Sequence, residues 1–352
     1  MIAYILSNVT LKIQDLLQYE QYSFSEDIEC GGKSSILVTE KPNVRNDDFI
    51  VCVKENGQQF FGICESYSHK KNNGYTVTMK EAEALFDRQI FVGNEALISS
   101  TGLEDFIRSE IIANWVDLGD TRIIKNWLTV QCDTHTKISA KASSIGSVEN
   151  GVYNLKTFIG NCMERYGVVL EYVFDFSSTP SMTVHIKRDS APVYPIDVEL
   201  SDVADPVEDY SVDVLAKLNV KWLNTTTSQI ATYHFYLLTD RSITTNMSDP
   251  NRADGTVKAI YVEAETYAEM YENVVQEFSN NSYQHKITLK LLKGSRAYPE
   301  AEYYVGRKVR IKTVTGIRET IVTGRTESNN SGFVQLVFGK LKVTLIEKLR
   351  SR

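Results

Sequence analysis

One pattern occurs twice in this chain and restricts its fold more than any other feature: residues 51–75 are echoed by residues 309–333. In the first copy Val51-Cys52-Val53 alternates apolar and small side chains, and Asn56-Gly57 supplies a turn. Phe60, Phe61 and Ile63 then resume a strand around Gly62, and Asn72-Asn73-Gly74 turns into Tyr75-Thr76-Val77-Thr78-Met79. In the second copy Val309 and Ile311 alternate with Arg310 and Lys312, Gly316 turns, Ile321-Val322 runs into Gly324, and Asn329-Asn330-Ser331-Gly332 turns into Phe333-Val334-Gln335-Leu336. Each copy reads as a three-strand meander with glycine at its turns and one glycine in mid-strand, where a bulge or bend is cheapest. Such a unit curls into a small barrel. Glycine punctuation is common to β-meanders in general, and Gly57 and Gly62 stand closer together than Gly316 and Gly324. Two unrelated meanders and a duplicated barrel domain therefore both fit the pattern.

The rest of the chain supplies helices. Thr101-Gly102-Leu103-Glu104 has the form of a capping box opening a helix with Leu103, Phe106, Ile107 and Ile111 inward. Leu155, Phe158, Ile159, Cys162, Met163 and Tyr166 recur at helical spacing and end at Gly167. A hairpin follows from Val168, turning at Ser177-Ser178-Thr179-Pro180. Tyr267, Met270, Tyr271, Val274, Val275 and Phe278 form another stripe, capped by Thr266 with Glu269. The stretch 79–91, with Ala82, Leu85, Phe86 and Ile90 near one face, reads as helical too.

The fold class that follows is α+β, mostly β: two related small β-barrels separated by an α+β domain, with a helix-bearing insertion in the second barrel. The expected boundaries are 1–94 for the first barrel, 95–205 for the α+β domain, 206–240 with 283–352 for the second barrel, and 241–282 for the insertion.

Length and composition agree with such a protein. A chain of 352 residues with 42% hydrophobic and 24% charged residues holds two or three ordinary globular domains. No apolar run approaches a membrane span, and the N-terminus lacks the basic start of a signal peptide, so the expectation is folding in a cytoplasm. Five scattered cysteines without a CxxC pair read as buried free thiols, although Cys52 and Cys64 could face each other across the first hairpin.

The net charge of −7 is unevenly spread, because residues 284–352 carry 15 Lys+Arg against 5 Asp+Glu. Arg307, Lys308 and Arg310 lie on a strand pattern whose other face is core, so a subunit contact or a solvated face is expected there, not sequence-specific nucleic-acid binding.

Catalytic signatures are missing from the sequence. Gly31-Gly32-Lys33-Ser34 resembles a phosphate loop, but position 27 holds Asp27 where that motif requires glycine. His69, His135, His185, His234 and His285 stand alone, without HxH or HxxxH spacing. The carboxylate pairs Asp47-Asp48, Glu81/Glu83 and Asp202/Asp205 fall in polar loops or on a solvated face, with no apolar pocket to shift a pKa. No catalytic residue, metal ligand or cofactor is assigned.

Two stretches carry a family resemblance: Gly151-Val152-Tyr153-Asn154-Leu155-Lys156-Thr157-Phe158-Ile159 running into Tyr166-Gly167-Val168-Val169-Leu170, and Ala231-Thr232-Tyr233-His234-Phe235-Tyr236-Leu237-Leu238-Thr239-Asp240 followed by Ile243-Thr244-Thr245-Asn246. With the order barrel, α+β domain, interrupted barrel, the chain resembles the baseplate hub proteins of bacteriophage and prophage tails, above all the tail-associated hubs of Gram-positive phages. The resemblance implies a non-enzymatic virion protein, assembled in the host cytoplasm as a homotrimer whose two barrels per subunit make a ring with near six-fold symmetry. Its implied partners are a distal tail or tail tube protein on one side and a tail-tip, receptor-binding or tail lysin protein on the other. It implies a part in host attachment and genome delivery. Since the chain stops at Arg352 after the second barrel, a catalytic tip is expected on a separate chain. A cell-wall-degrading enzyme using an acidic pair, or a glycan-binding module using exposed Tyr and Trp, is the alternative.

Overall fold

The computed structural model describes residues 1–28, 31–69, 74–91, 101–116, 125–138, 142–145, 152–176, 180–209, 215–238, 242–282, 286–314 and 316–339. Six strands open the chain: β1 (Ile2–Leu6), β2 (Ile13–Asp27), β3 (Ser34–Val38), β4 (Phe49–Val53), β5 (Gln59–His69) and β6 (Tyr75–Glu81). They pair in the order β1-β4-β5-β6-β3-β2, and β2 pairs back onto β1, which closes a six-stranded barrel. Its interior is filled by alternate residues such as Ile5, Tyr19, Phe24, Ile36, Ile50 and Phe60. Cys52 and Cys64 lie in this interior as free thiols.

The unbroken apolar run of β4 has a structural reason. Ile50 and Cys52 face the barrel interior, while Phe49 and Val51 belong to a second core outside it. A strand buried on both faces reads as continuous hydrophobicity.

That second core unites the first barrel with the α+β unit. After the barrel a 3₁₀ turn (Ala82–Phe86) leads to β7 (Gln89–Phe91), α1 (Leu103–Ile111), a π turn (Ile112–Val116), β8 (Leu128–Cys132), α2 (Ala142–Ile145), β9 (Val152–Asn154), α3 (Leu155–Tyr166), β10 (Val168–Asp175) and β11 (Ser181–Arg188). Residues 79–91 are thus not the expected helix. Met79 to Glu81 finish β6, and β7 pairs with β9 to tie the barrel to the start of α3.

Helix α1 buries the expected face, but its cap is Gly102 at φ 100, not a capping box. The Glu104 carboxylate turns away to accept from the Thr136 amide and the Thr134 and Thr136 hydroxyls. Helix α3 forms as its spacing predicts, with Asn154 accepting from the Thr157 amide and Gly167 ending it at φ 71.

Next come β12 (Tyr194–Asp197), β13 (Val203–Asp209), β14 (Leu215–Asn224), β15 (Ile230–Leu237), β16 (Ile243–Thr244), β17 (Thr256–Ala264), α4 (Tyr267–Ser282), β18 (Lys286–Leu292), β19 (Lys308–Thr313), β20 (Gly316–Ser328) and β21 (Phe333–Phe338). The second barrel is assembled from β12-β19-β20-β21-β18-β13. Numbered first to sixth by chain order, its strands follow the spatial order of the first barrel: first, fourth, fifth, sixth, third, second. Among the described residues β12 and β13 do not pair, so this barrel is left unclosed where β1 and β2 close the other.

The duplication extends to backbone detail. The register shifts between Cys64 and Ser66 in the first barrel and between Val322 and Gly324 in the second. Just before each shift the same bonds recur: the Cys64 amide donates to Asp48 and the Asp47 amide to Cys64, while the Val322 amide donates to Arg307 and the Gly306 amide to Val322. Gly324 sits at its bulge as the mid-strand glycine suggests. Gly62 does not; it marks a close approach, where an added Cβ would lie 2.9 Å from the Met79 Cβ.

The insertion is larger than its helix. Strands β14 and β15, expected in the second barrel, form a separate sheet ordered β16-β15-β14-β17, and α4 packs on it through Met270, Val274 and Phe278. Conversely β12, expected in the α+β domain, pairs with β19.

Candidate functional site

The two barrels are joined through their own backbones. β2 is longer than its partner β1, and the overhang, Ser23 to Asp27, pairs antiparallel with Ser328 to Gly324 of β20. β20 in turn overhangs β19, so two long strands each lend their free end to the other. Side chains reinforce the seam: the Asn329 side chain accepts from the Tyr22 amide and donates to the Glu20 carbonyl.

A charged cluster is buried at this seam. Glu327, 4% exposed, accepts from the Tyr22 hydroxyl at 2.7 Å, from Lys54 Nζ at 2.6 Å and from Arg325 at 2.8 Å, with Lys293 3.8 Å away. Arg325 also reaches Glu26 at 3.3 Å. Burial opposes ionisation of Glu327, but the hydrogen bonds from Lys54 and Tyr22 and the charges of Lys54 and Arg325 hold its carboxyl below the usual range. Residues from both barrels thus share one buried ion network, which fixes their relative orientation.

A cavity of about 510 Å³ opens where the first barrel, the α+β unit and the second barrel meet. Asp27, Glu81 and Glu83 line it from the barrel, Lys156 from α3, Glu171 from β10 and Tyr304 from the second barrel. The Glu81/Glu83 pair is therefore not on a solvated face. Burial, then the charges of Glu83 and Asp27, push the Glu81 carboxyl up to about 10, against the hydrogen bond that the Asp27 amide donates at 2.8 Å. Burial, with the charge of Glu26, pushes Glu83 up to about 7. The other two acidic pairs are structural: Asp48 accepts from the Arg45 amide, and Asp202 from the Ser295 hydroxyl.

The three basic residues singled out in the sequence are separated by the fold. Arg307 is 3% exposed, with Glu302 at 3.2 Å and Asp189 at 3.7 Å and the rings of Tyr194 and Tyr304 beside it. It is an internal tie between the second barrel and the chain leaving β11, and it presents no charge to a neighbour. Lys308 lies against Gly167 at the end of α3. Arg310 is exposed and paired with Glu319 across the β19–β20 hairpin.

Of the histidines, His135 meets Asp105, His185 meets Asp133 and His234 meets Asn219, while His69 packs beside Tyr75. His285 lies outside the described residues. Among the described residues no group of three or more His, Cys, Asp or Glu is placed to hold a metal ion. No helix among them is long and apolar enough to cross a membrane. The seam cluster was not readable in the sequence, since Tyr22 and Lys54 are some three hundred positions from Glu327 and no local spacing links them.

No family model matches this chain. No curated protein matches it. Solved structures do. A tail protein from Neisseria meningitidis MC58 superposes with a TM-score of 0.58 at 12% identity, over 96% of this chain and 97% of that one. A prophage tail protein from Listeria monocytogenes EGD-e gives 0.54 at 11% identity, over 99% and 97%. The 43 kDa tail protein of prophage MuSo2 from Shewanella oneidensis gives 0.52 at 10%, over 96% and 97%. At these identities the likeness establishes the fold, and it spans nearly the whole chain.

Proposed function

We propose that this chain is a structural virion protein of a phage or prophage tail tip: a homotrimeric hub that adapts a hexameric tail tube to a three-fold tip and takes part in host attachment and genome delivery. The observation that carries this reading is the duplicated barrel. Two barrels with one strand order, one bulge position and an edge-to-edge backbone seam are the repeat that three copies need to make a six-barrel ring. The shared fold with tail proteins from three sources supports it. The function is then interfacial: neighbouring proteins bind to the two faces of the ring, a tail tube or distal tail protein on one and a receptor-binding or lysin protein on the other. Negative-stain electron microscopy of the purified protein tests this. Rings of six lobes in axial view are expected, and particles of two lobes at every concentration would reject the hub.

One observation favours a second reading. The raised carboxyls of Glu81 and Glu83 in a shared cavity are the acidic pair that a wall-degrading enzyme would need. Release of sugar from purified cell walls, abolished by Glu83→Gln, would favour it over the structural reading.

A further inference from the structure

We infer that copies of this chain join by strand pairing between β13 of one copy and the free end of β5, residues 66–69, of the next. The inference rests on the ring reading above and names the surface that would build it.

Within one chain the seam joins the second strand of the first barrel, β2, to the fifth strand of the second barrel, β20. The same relation carried one step further joins the second strand of the second barrel, β13, to the fifth strand of a first barrel, β5. No β5 within the chain can serve, because β5 lies on the far side of its own closed barrel, so the partner is a second copy. The contact is heterologous, and three copies related by a three-fold rotation close it into a ring.

The register follows from rows of paired residues. Ser23 pairs with Ser35, Ser35 with Thr78, and Thr78 with Ser66. In the second barrel Val207 pairs with Thr288, Thr288 with Val337, and Val337 with Gly324. Ser23 thus corresponds to Val207, and Ser66 to Gly324. Since the seam sets Ser25 opposite Thr326 and Phe24 opposite Glu327, the contact between copies sets Asp209 opposite Ser68 and Glu208 opposite His69. The second of these places a carboxylate against an imidazole, a favourable cross-strand pair.

Both edges are available. Among the described residues β13 pairs only with β18, and β5 beyond Cys64 pairs only with β6. Ser66, Tyr67, Ser68 and His69 are exposed, as is Val207. Exposed strand edges of this kind invite another strand.

Cysteine cross-linking tests the pairing. Ser25 and Thr326 hold their hydroxyls 3.3 Å apart on the exposed side of the seam, so cysteines at the corresponding positions fall within bonding reach. In a background of Cys30→Ser and Cys132→Ser, the double variant Asp209→Cys with Ser68→Cys is oxidised and run on a denaturing gel without thiol. Covalent species of two and three copies, reversed by thiol and missing from either single variant, are expected. Ser25→Cys with Thr326→Cys serves as the control that closes within one chain. If light scattering shows the assembly but no cross-link forms between copies, this strand pairing is wrong and the ring reading survives. If the protein is monomeric throughout, both fail. Should the cysteine variants not fold, hydrogen exchange on the unmodified chain decides: amides of residues 66–69 and 207–209 slow on assembly if the pairing holds, and exchange freely if it does not.

Discussion

At the scale of single residues, the strongest constraints are charges with no water around them. Glu327 has its carboxyl below the usual range when folded, so it stabilises the protein above pH ~4.3, its ordinary value, and that contribution is lost as pH falls through the folded value. Replacing it leaves Lys54 buried without its anion and Arg325 with only Glu26, and breaking a buried pair in this way costs roughly 3–5 kcal/mol. Glu327→Gln should therefore melt well below the parent at pH 7, and the difference should narrow on acidification below pH ~4 in thermal melts.

Glu81 works in the opposite direction. Its folded carboxyl, near 10, keeps a proton that the unfolded chain gives up, so it costs stability progressively as pH rises from ~4.3 towards 10. Glu81→Gln removes that cost, and its melting temperature relative to the parent should rise between pH 5 and pH 9. A difference that stays flat with pH would mean the carboxyl ionises normally.

Arg307 and Arg310 should separate just as sharply. Arg307→Ala strands Asp189 inside the protein and should lose about 3–5 kcal/mol in urea unfolding. Arg310→Glu disrupts only an exposed pair, worth at most about 1 kcal/mol, and should leave urea unfolding nearly unchanged. The sequence could not tell these neighbours apart: both sit in a basic run, and what buries Arg307 is a loop folded from residues far along the chain, Asp189 and Tyr194 among them.

At the scale of elements, local signals were legible where they were local. The spacing of α3, its asparagine cap and its glycine stop are all properties of one short stretch, and the helix forms as read. Residues 79–91 carry a comparable apolar spacing, yet Val77, Met79 and Glu81 are claimed by the pairing of β6 with β3 and β5. Tertiary pairing overrides propensity there. Glu104 is a similar case, since its capping-box position is outcompeted by three donors from the 134–136 segment.

The insertion was underestimated for a topological reason. Strands of a barrel and strands of an inserted sheet have the same alternation, and only pairing distinguishes them. That pairing makes a prediction: Asp209 and Lys286 face each other across the antiparallel β13–β18 ladder, as the ends of a hairpin do. Their Cα atoms then stand about 5 Å apart, a span a two-residue turn covers. Replacing residues 210–285 with Asn-Gly should leave a soluble, cooperatively folding protein with both barrels intact, judged by circular dichroism and a single thermal transition. Aggregation or loss of cooperativity would show that the inserted sheet is needed to hold the second barrel.

At the scale of the whole molecule, the repeat at residues 51–75 and 309–333 was the most informative part of the sequence, because a duplicated meander implies a duplicated domain and a duplicated domain implies a repeated contact. The sequence left coincidence open. The shared strand order and the matching bulge at Cys64/Ser66 and Val322/Gly324 favour duplication, with one difference: β12 runs parallel to β19 where β1 runs antiparallel to β4. What no sequence pattern could supply is the seam, where β2 and β20 meet edge to edge around Glu327. The closed first barrel, the unclosed second barrel and the strand edges left at β5 and β13 are what one step of the proposed ring requires.

The mass of the purified protein in solution, measured by light scattering over a range of concentration and salt, tests that ring most directly. A species of three times 39.8 kDa that persists on dilution is expected. A protein that remains a monomer at every concentration and salt would contradict it.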